Sequence, residues 1–416
     1  MTRGILRLQR HPSGRAGRDI GDNLQVCIGV VPASCRRQAS FYRICRICAS
    51  TSLPGTICHT NTTHKILIGR RLIKIRLRGQ IYADFNSRSQ TRSLASLLVF
   101  RAYVSWRNKQ ATKGGDKVHS VLALEEPESH LHPQAQRSLF AHIKAIPGQR
   151  IVSTHSPYFA GQAQLEDLRL FIKSGGDTIV TRLDLSSLMD PGDVRKLQET
   201  VIDTRGDLLF SRGLVLFEGQ TEEQALPIWA QKYWGGSIHE LGFCFVRANG
   251  TDYFPFVWLA NALRIPWYVF ADGEDVPVKN LDAALKKAGE PDSAHCNNVV
   301  VHPAGKNFES QLIDEGYMAE IELSLNAMSG SKAYLDEYIA ELHGAKGKKG
   351  VPRDYTSVGG RERAAFDAMS AAKTSLSKHL SHVITSLPDP ERRFPKKIKA
   401  LFEIISAAHG LKKDKD

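Results

Sequence analysis

Apolar residues in the middle of the chain form short runs separated by amphipathic stretches. Buried strands are predicted at 121–124 and 151–153, because each is a compact apolar run with polar residues at its ends. Between them, Pro133 occupies a position that the first turn of a helix tolerates. The helix that it opens has one apolar face, formed by Leu139, Phe140, Ile143 and Ile146. Strand, helix and strand in this order predict a parallel sheet covered by helices.

The same alternation begins again after a turn at Pro191 and Gly192. A helix at about 193–202 leads into this second unit. Its predicted elements are strands at 213–217, 243–247 and 267–271, with helices at 221–233 and 253–263. After Glu309 the pattern becomes mostly helical. A second parallel sheet with a helical C-terminal region is therefore expected.

The first 90 residues show little of the apolar periodicity that is typical of helices or of strands. They are rich in Arg, Ser and Cys, and Glu125 is the first glutamate of the chain. A segment of this composition is hard to place in a packed domain. Two interpretations are open: a disordered basic extension, or an aberrant reading frame or start joined to a gene fragment. The long stretch without glutamate favours the second.

Charge is distributed unevenly between the front of the chain and the rest. The net charge is +13, of which residues 1–124 contribute +18 and residues 125–416 contribute −5. The basic balance is therefore poor evidence that the second part binds nucleic acid. No apolar run approaches the roughly 18–20 residues that span a bilayer, and no apolar stretch follows the N-terminal arginines. A cytoplasmic protein without a membrane partner is expected.

Two carboxylates come directly after the strand predicted at 121–124. Glu125 and Glu126 would lie at the carboxyl edge of a parallel sheet, where acids face a ligand and the strand holds them rigidly. One can orient water on a bound Mg²⁺, and the other can position the water that attacks a γ-phosphate. His155 follows the neighbouring strand, where an imidazole can contact the same phosphate.

This order resembles the Walker B strand, D-loop and switch histidine of ABC-type ATPases. The resemblance gives Glu125 the place of the usual aspartate and Glu126 that of the catalytic glutamate, and it places Ser129 in the D-loop. It implies that these residues and His155 contact ATP, with Glu126 and His155 catalytic. A loop of the form G-x-x-x-x-G-K-[ST] occurs nowhere in the chain. Without its N–H groups around the phosphates, ATPase activity of this chain alone is not expected.

A second group of carboxylates follows the strands predicted at 213–217 and 267–271. Its members are Glu218, Glu222, Asp272, Glu274 and Glu309. Gly219 permits a tight turn between the first two. Gathering so many carboxylates is unfavourable unless divalent cations neutralise them, and Mg²⁺ prefers oxygen ligands. Two such ions about 4 Å apart can activate water and stabilise the leaving oxygen in phosphodiester cleavage.

The order Glu-Gly-x-x-Glu and then Asp-x-Asp/Glu, each after a strand, resembles the Toprim domain of topoisomerases, primases and OLD (overcoming lysogenisation defect) nucleases. Asp272-Gly-Glu274 departs from the commoner Asp-x-Asp, and Asn307-Phe-Glu309 resembles a further acidic motif of OLD nucleases. The family also has a late lysine near the scissile phosphate. Lys373 is the candidate here, with Lys378 close behind.

An ATPase core followed directly by Toprim is the arrangement of the OLD family. The resemblance implies an ATP-regulated DNA endonuclease that nicks or cuts DNA, with a role in phage defence, DNA repair or DNA metabolism. Two Mg²⁺ or Mn²⁺ ions would be held by the five acids, with Glu218 also catalytic, and Lys373 would contact the transition state. It further implies DNA as substrate, ATP as cofactor, homo-oligomers formed through the ATPase heads, and a helicase-like partner.

The expected fold is α/β, with a partial ABC-type ATPase parallel sheet, a Toprim parallel sheet with helices, and a mostly helical C-terminal region. The predicted divisions are an aberrant or disordered basic segment at 1–90, the C-terminal part of the ATPase domain at 91–190, a connector at 191–212, Toprim at 213–320 and the helical region at 321–416.

Other functions stay open. The chain could be a non-catalytic remnant of an interrupted gene, or an ABC-type ATPase of DNA repair without nuclease activity. A type IA topoisomerase needs a nucleophilic tyrosine on a further domain. A primase needs a zinc ribbon, which Cys45 and Cys48 alone do not provide.

Overall fold

The computed structural model describes residues 24–30, 64–68, 71–75, 101–106, 109–110, 121–129, 131–174, 176–187, 190–248, 252–347 and 350–414. Cys45 and Cys48 lie outside these ranges. The chain divides into two compact units, Met1–Phe210 and Ser211–Asp416. In the described part of the chain, no helix is both long enough and apolar enough to cross a membrane.

The first unit contains a five-stranded sheet of order β4-β5-β1-β6-β7. Its strands are β1 (Leu24–Val30), β4 (Val121–Glu125), β5 (Gln149–Thr154), β6 (Leu168–Ser174) and β7 (Asp177–Arg182). Strands β4 and β5 are parallel, as predicted. All the other neighbours in this sheet are antiparallel. A separate antiparallel pair is formed by β2 (His64–Ile68) and β3 (Arg71–Ile75).

Strand β1 lies in the segment for which no regular structure was expected, and it takes the central place in the sheet. Strands β6 and β7 were also not anticipated. Strand β1 pairs with β5 and β6, which are distant along the chain, and local periodicity does not reveal such pairing. Strands β6 and β7 form a hairpin in which Ser174 lies opposite Asp177, so their pairing is local and the sequence analysis missed it. The sheet is therefore mixed, with one parallel pair at its edge.

The helices of the first unit are short. They include α1 (Pro133–Lys144), α2 (Pro157–Ala160) and α3 (Pro191–Leu197), with further helical turns at Leu165–Asp167, Leu185–Ser187, Gln198–Ile202 and Gly206–Phe210. Residues 101–106 are also helical. All four residues of the predicted apolar face of α1 are buried. Phe140 of this face meets Phe159 of α2 edge to face, with 5.2 Å between ring centroids. Helix α1 thus packs where its periodicity predicted.

The second unit contains a four-stranded parallel sheet of order β11-β10-β8-β9. Its strands are β8 (Gly213–Phe217), β9 (Phe243–Arg247), β10 (Trp267–Ala271) and β11 (Val299–Val301). Every residue of β8 and of β10 is buried. Helices cover both faces of such a sheet, so its central strands are continuous apolar runs. This explains why the sequence predicted them clearly.

Helices alternate with these strands and then continue to the end of the unit. The first four are α4 (Gln220–Trp234), α5 (Tyr253–Leu263), α6 (Asp275–Lys287) and α7 (Phe308–Asp314). The later ones are α8 (Met318–Ser329), α9 (Tyr334–Leu342), α10 (Gly360–Ala371), α11 (Lys373–Thr385) and α12 (Lys396–His409).

The later helices share the core of the sheet. One continuous cluster of buried side chains includes Phe217 and Phe270 of the sheet, Leu380 of α11 and Phe402 of α12. The proposed division at 320 therefore does not separate two cores. Helix α11 packs along α4 and α8, and this packing brings the start of α11 near the start of α4. Thr374 Oγ1 lies 3.5 Å from Gln220 Oε1.

Candidate functional site

Two of the predicted acids follow adjacent strands of the second sheet. Strands β8 and β10 are parallel neighbours, with Phe217 opposite Phe270. Glu218 comes directly after the first strand, and Asp272 comes directly after the second. Because parallel strands end at the same edge of a sheet, both carboxylates lie at that edge.

Glu222 and Glu309 join them from the first turns of two helices, α4 and α7. Both side chains are almost fully buried, with 3% and 2% of each residue exposed. Thr221 Oγ1 donates a hydrogen bond of 2.9 Å to Glu309 Oε1, which links the two helix starts. A side chain at Gly219 would collide with the Glu222 carboxylate. A larger residue at position 219 would therefore force the Glu222 carboxylate to move.

The Asp272 loop is joined by backbone contacts to the segment that carries Glu309. Phe308 N donates to Asp272 Oδ1 at 3.0 Å. Gly273 N donates to Lys306 O at 2.8 Å, and Gly273 O accepts from Gly305 N at 2.7 Å. A side chain at Gly273 would collide with the carbonyl groups of the turn after β11. Asp272 and Glu309 are thus held in a fixed relation.

The acids affect one another's ionisation. Burial, and then the charges of Asp272 and Glu309, raise the pKa of Glu222 to about 8. Burial, and then the charges of Glu218 and Glu309, raise the pKa of Asp272 to about 7. The pKa of Glu218 is raised by burial and by the charge of Glu274. The charges of Glu274 and Glu309 thus act on the other three acids, and burial with like charge opposes the ionisation of Glu218, Glu222 and Asp272.

Lys373, the first residue of α11, reaches into this cluster. Its Nζ lies 3.3 Å from Glu309 Oε1. Burial opposes its charge, but the carboxylates of Glu309, Glu222 and Asp272 outweigh burial and raise the pKa of the Lys373 ammonium. Lys378 is exposed further along the same helix. Of the two lysines considered from sequence, Lys373 is the one that contacts an acid of the cluster.

The donor set suits hard divalent cations, because it consists of carboxylate oxygens. Glu218 Oε2 is buried, and it has no hydrogen-bond partner among the described residues. Such an oxygen is an available ligand atom. Within the described ranges, no three side chains of His, Cys, Asp or Glu are already placed to hold a metal ion. Binding of an ion would therefore require the carboxylates at this edge to turn towards it.

Tyr253 also belongs to this site, although sequence reasoning did not select it. It is the first residue of α5 and is completely buried, and its hydroxyl has no hydrogen-bond partner among the described residues. Burial, and then the charges of Glu218, Glu222 and Asp272, raise the pKa of Tyr253 well above its ordinary value. At the start of an apolar helix, a tyrosine is easily taken for core. The available signal was its position shortly after the end of a strand.

In the first unit, the predicted nucleotide-contacting residues lie at the ends of β4 and β5. Glu126 N donates to Ser153 O at 2.9 Å, and His155 Nε2 lies 3.4 Å from Glu126 Oε1. Ser129 Oγ donates to the Glu126 backbone carbonyl at 2.8 Å. Glu125 ends β4 and is exposed. The structure thus brings Glu126, Ser129 and His155 together beside Glu125, on a half-exposed surface.

The backbone of Glu126 has a φ of 41°, in the left-handed region that non-glycine residues rarely adopt. Strained backbone of this kind tends to occur at functional sites. Glu128, which sequence reasoning did not select, is buried and accepts a hydrogen bond from Thr154 Oγ1. Burial raises the pKa of Glu128. This contact ties the turn after β4 to the end of β5 and so fixes Glu126 beside His155.

Two family models match parts of the chain. An AAA ATPase domain matches residues 74–160, and the Toprim domain of overcoming lysogenization defect protein-like proteins matches residues 209–273. The ATPase match begins before residue 91, where the sequence analysis placed the start of that domain. The Toprim match includes Glu218, Glu222 and Asp272 and ends at Gly273.

Curated relatives include two named nucleases. The OLD nuclease of Thermus scotoductus is 35% identical over 119 residues, which cover 27% of this chain and 22% of that protein. The Old nuclease of Escherichia phage P2 is 23% identical over 184 residues, which cover 42% of this chain and 31% of that protein. The matched segments therefore span less than a third of either relative.

Among solved structures, the C-terminal region of the Xanthomonas campestris pv. campestris OLD protein matches 49% of this chain and 96% of its own length. The TM-score is 0.36 and the sequence identity is 18%. Residues that match an AAA ATPase domain are thus followed by residues that match an OLD-like Toprim domain, and part of the chain is similar to a curated OLD nuclease.

Proposed function

We propose that this chain is a metal-dependent DNA endonuclease, a nickase of the OLD type, that cleaves phosphodiester bonds in its Toprim domain. The observation that carries the proposal is the convergence of acids from three separate segments with one lysine at a single sheet edge. Glu309 Oε1 and Lys373 Nζ, 3.3 Å apart, join the Toprim acids to the C-terminal helices.

We assign the five acids Glu218, Glu222, Asp272, Glu274 and Glu309 as ligands for two Mg²⁺ or Mn²⁺ ions. When bound, such ions lower the pKa of an attacking water and stabilise the leaving oxygen of the phosphodiester. The carboxylates supply the oxygen ligands and fix the place of the ions at the sheet edge. Their mutual repulsion, which burial strengthens, favours the binding of cations.

Lys373 would act on the substrate phosphate. Its ammonium stays protonated because the surrounding carboxylates raise its pKa. A fixed positive charge beside the scissile phosphate stabilises the negative charge that develops on the phosphate oxygens in the transition state. Because Lys373 lies on α11, the helical region after residue 320 is part of the catalytic unit in this proposal.

The ATPase-type segment would have a regulatory role. Glu125, Glu126, Ser129 and His155 form one side of a nucleotide site, with Glu126 and His155 placed to act on the attacking water and the γ-phosphate. Hydrolysis by this chain alone is not proposed, because the sequence contains no phosphate-binding loop motif. By the family resemblance, ATP would control the assembly of homo-oligomers through the ATPase-type segments. DNA would be the substrate, and a helicase-like protein would be a partner. A cytoplasmic role in phage defence or DNA repair would fit that chemistry.

A plasmid-nicking assay with Mg²⁺ or Mn²⁺ tests the proposal. We expect the wild-type chain to convert supercoiled plasmid to the nicked form and Glu218→Ala to lose this activity while remaining folded. Glu403→Ala, which changes an exposed acid on α12, is the matched control and should nick normally. Equal cleavage by wild type and Glu218→Ala would remove the nuclease assignment. The non-catalytic remnant would then be the better description.

A further inference from the structure

Tyr253 is placed beside Glu218 by the backbone that follows β9. Ala248 N donates to Phe217 O at 2.8 Å, and Asp252 N donates to Ala248 O at 2.9 Å. The first bond fixes the chain after β9 against the last residue of β8, and the second returns the chain to the same edge. Helix α5 therefore begins next to the end of β8, where Glu218 follows.

Two buried polar atoms at this edge have complementary hydrogen-bonding capacity. Neither Tyr253 Oη nor Glu218 Oε2 has a partner among the described residues. A phenol hydroxyl can donate a hydrogen bond, and a carboxylate oxygen can accept one. Buried polar groups are normally paired, and an unpaired one calls for an explanation. A hydrogen bond between them would satisfy both atoms.

The hydroxyl is not needed to fill the core. Helix α5 buries Phe254, Phe256, Val257 and Leu259 in addition to Tyr253. A phenylalanine at position 253 would bury the same ring without desolvating a hydroxyl. A phenol is protonated at neutral pH, so the Tyr253 hydroxyl is available as a donor.

We propose that Tyr253 is a positioning residue of the metal site, whose hydroxyl donates a hydrogen bond to the Glu218 carboxylate and orients it towards a divalent ion. The proposal rests on the proposed function, since it assigns Glu218 as a metal ligand. Groups that hydrogen-bond to ligating carboxylates set the direction of their oxygens, and their loss typically weakens metal binding about 10–100-fold.

The test is Mn²⁺ binding by the full chain in the absence of DNA, measured by calorimetric titration. We expect Tyr253→Phe to weaken Mn²⁺ binding by about tenfold. The matched control is Tyr317→Phe, because the Tyr317 hydroxyl is also largely buried but donates to the backbone carbonyl of Arg392 at 2.9 Å. This control should bind Mn²⁺ as wild type does.

A double-mutant cycle with Glu218→Gln asks whether Tyr253 acts through Glu218. In the Glu218→Gln background, adding Tyr253→Phe should weaken Mn²⁺ binding no further. In the nicking assay, Tyr253→Phe should need about tenfold more Mg²⁺ for half-maximal rate and reach nearly the wild-type rate at saturation.

Two results would overturn the inference alone: wild-type Mn²⁺ affinity in Tyr253→Phe, or a loss of thermal stability in this variant with no change in affinity. Either one would assign the hydroxyl to the core while wild type and Glu218→Gln still differed. If the wild-type chain itself neither bound Mn²⁺ nor nicked plasmid, the proposed function would fail, and the role of Tyr253 would fail with it.

Discussion

The two candidate sites of this chain store unfavourable energy in different forms. In the Toprim domain, carboxylates are buried together, and the pKa of Glu222 rises to about 8. In the ATPase-type segment, Glu126 and His155 are half exposed, with 44% and 52% of their side chains accessible, and the strain lies in the Glu126 backbone. Bound cations can relieve buried like charge, whereas only a change of backbone conformation or residue relieves an unfavourable φ.

The two sites also differ in how many of the groups that their proposed chemistry needs are present in this chain. The Toprim acids have their counter-charge, Lys373, in the same unit and in contact with Glu309. The ATPase-type residues Glu126, Ser129 and His155 contact one another, but the given sequence contains no motif of a phosphate-binding loop that would hold a nucleotide beside them. We therefore expect substitutions in the Toprim domain to affect DNA cleavage most, and substitutions at Glu126 to affect mainly local stability.

The largest effect is expected from Lys373→Ala. Loss of a fixed charge beside the scissile phosphate should lower the nicking rate at saturating Mg²⁺ by about 100-fold or more, by analogy with the loss of one transition-state hydrogen-bond donor. Lys378→Ala is the matched control, since Lys378 is an exposed lysine on the same helix. Nicking rates of the two variants on one plasmid substrate provide the measurement. If both variants cut at the wild-type rate, the ammonium of Lys373 has no part in the chemistry.

A somewhat smaller effect is expected from Gly273→Ala. The added methyl group would collide with the carbonyl groups of the turn after β11, so the Asp272 loop must shift away from Glu309. Unfolding free energy should fall by about 1–3 kcal/mol, the usual cost of overpacking, and half-maximal nicking should need more Mg²⁺.

Gly236→Ala is the control for Gly273→Ala, because an added methyl group at that position would meet no heavy atom closer than 3.7 Å. Chemical denaturation followed by circular dichroism measures the stability of both variants. Equal stability of the two would mean that the Asp272 loop can move without cost, and the rigid link to Glu309 would have to be abandoned.

The buried acids also predict how stability depends on pH. The pKa of Glu222 is about 8 and that of Asp272 about 7 in the folded chain, both above their ordinary values. The folded state therefore binds more protons than the unfolded state, and stability falls as pH rises through these values. Between pH 7 and 9 the loss should amount to about 1–2 kcal/mol.

Thermal unfolding at pH 7, 8 and 9 checks this slope, with Glu222→Gln expected to flatten it. Over this range the buried histidines do not contribute, because burial lowers the pKa of His302 and of His409 to about 4. Added Mg²⁺ should raise the melting temperature most at pH 9, where the acids are ionised. A melting temperature that is independent of pH in the wild type would contradict the clustering of these carboxylates.

The extent to which the sequence predicted these sites depends on how local the signal is. Strands β8 and β10 and the acids after them were predictable, because a fully buried strand is a short apolar run and its ligand-facing residues come next along the chain. The bounds of β8, β9, β10 and α5 agree with the prediction. Strand β1 could not be predicted in this way, because its partners β5 and β6 are distant along the chain.

Residues that act through long-range packing were the hardest to find. Lys373 was selected only through the family resemblance, since its place beside Glu309 depends on the packing of α11 along α4. Tyr253 was missed because its burial pattern is that of the core. Glu128 was missed because its partner, Thr154, lies on another strand. In each case the contact joins two elements that are separate along the chain. A local sequence pattern does not specify how such elements pack against each other.

The smallest effect is expected from a substitution at Glu126, which tests whether the unfavourable backbone conformation there lowers stability. Glycine adopts positive φ freely, so Glu126→Gly should stabilise the folded chain by about 1 kcal/mol through relief of the φ of 41°. Glu125→Gly is the matched control. Glu125 lies in regular strand β4, where glycine is unfavourable and should destabilise by about 0.5–1 kcal/mol. Hydrogen exchange of the β4 and β5 amides measures the change in stability of each variant. A gain in stability in Glu126→Gly and a loss in Glu125→Gly would locate the strain at Glu126. Destabilisation by both would mean that the contacts of the Glu126 side chain with Ser129 and His155 outweigh the strain. Nicking in the absence of ATP should be unchanged in both variants, because the unit Ser211–Asp416 contains its own acids and its own lysine.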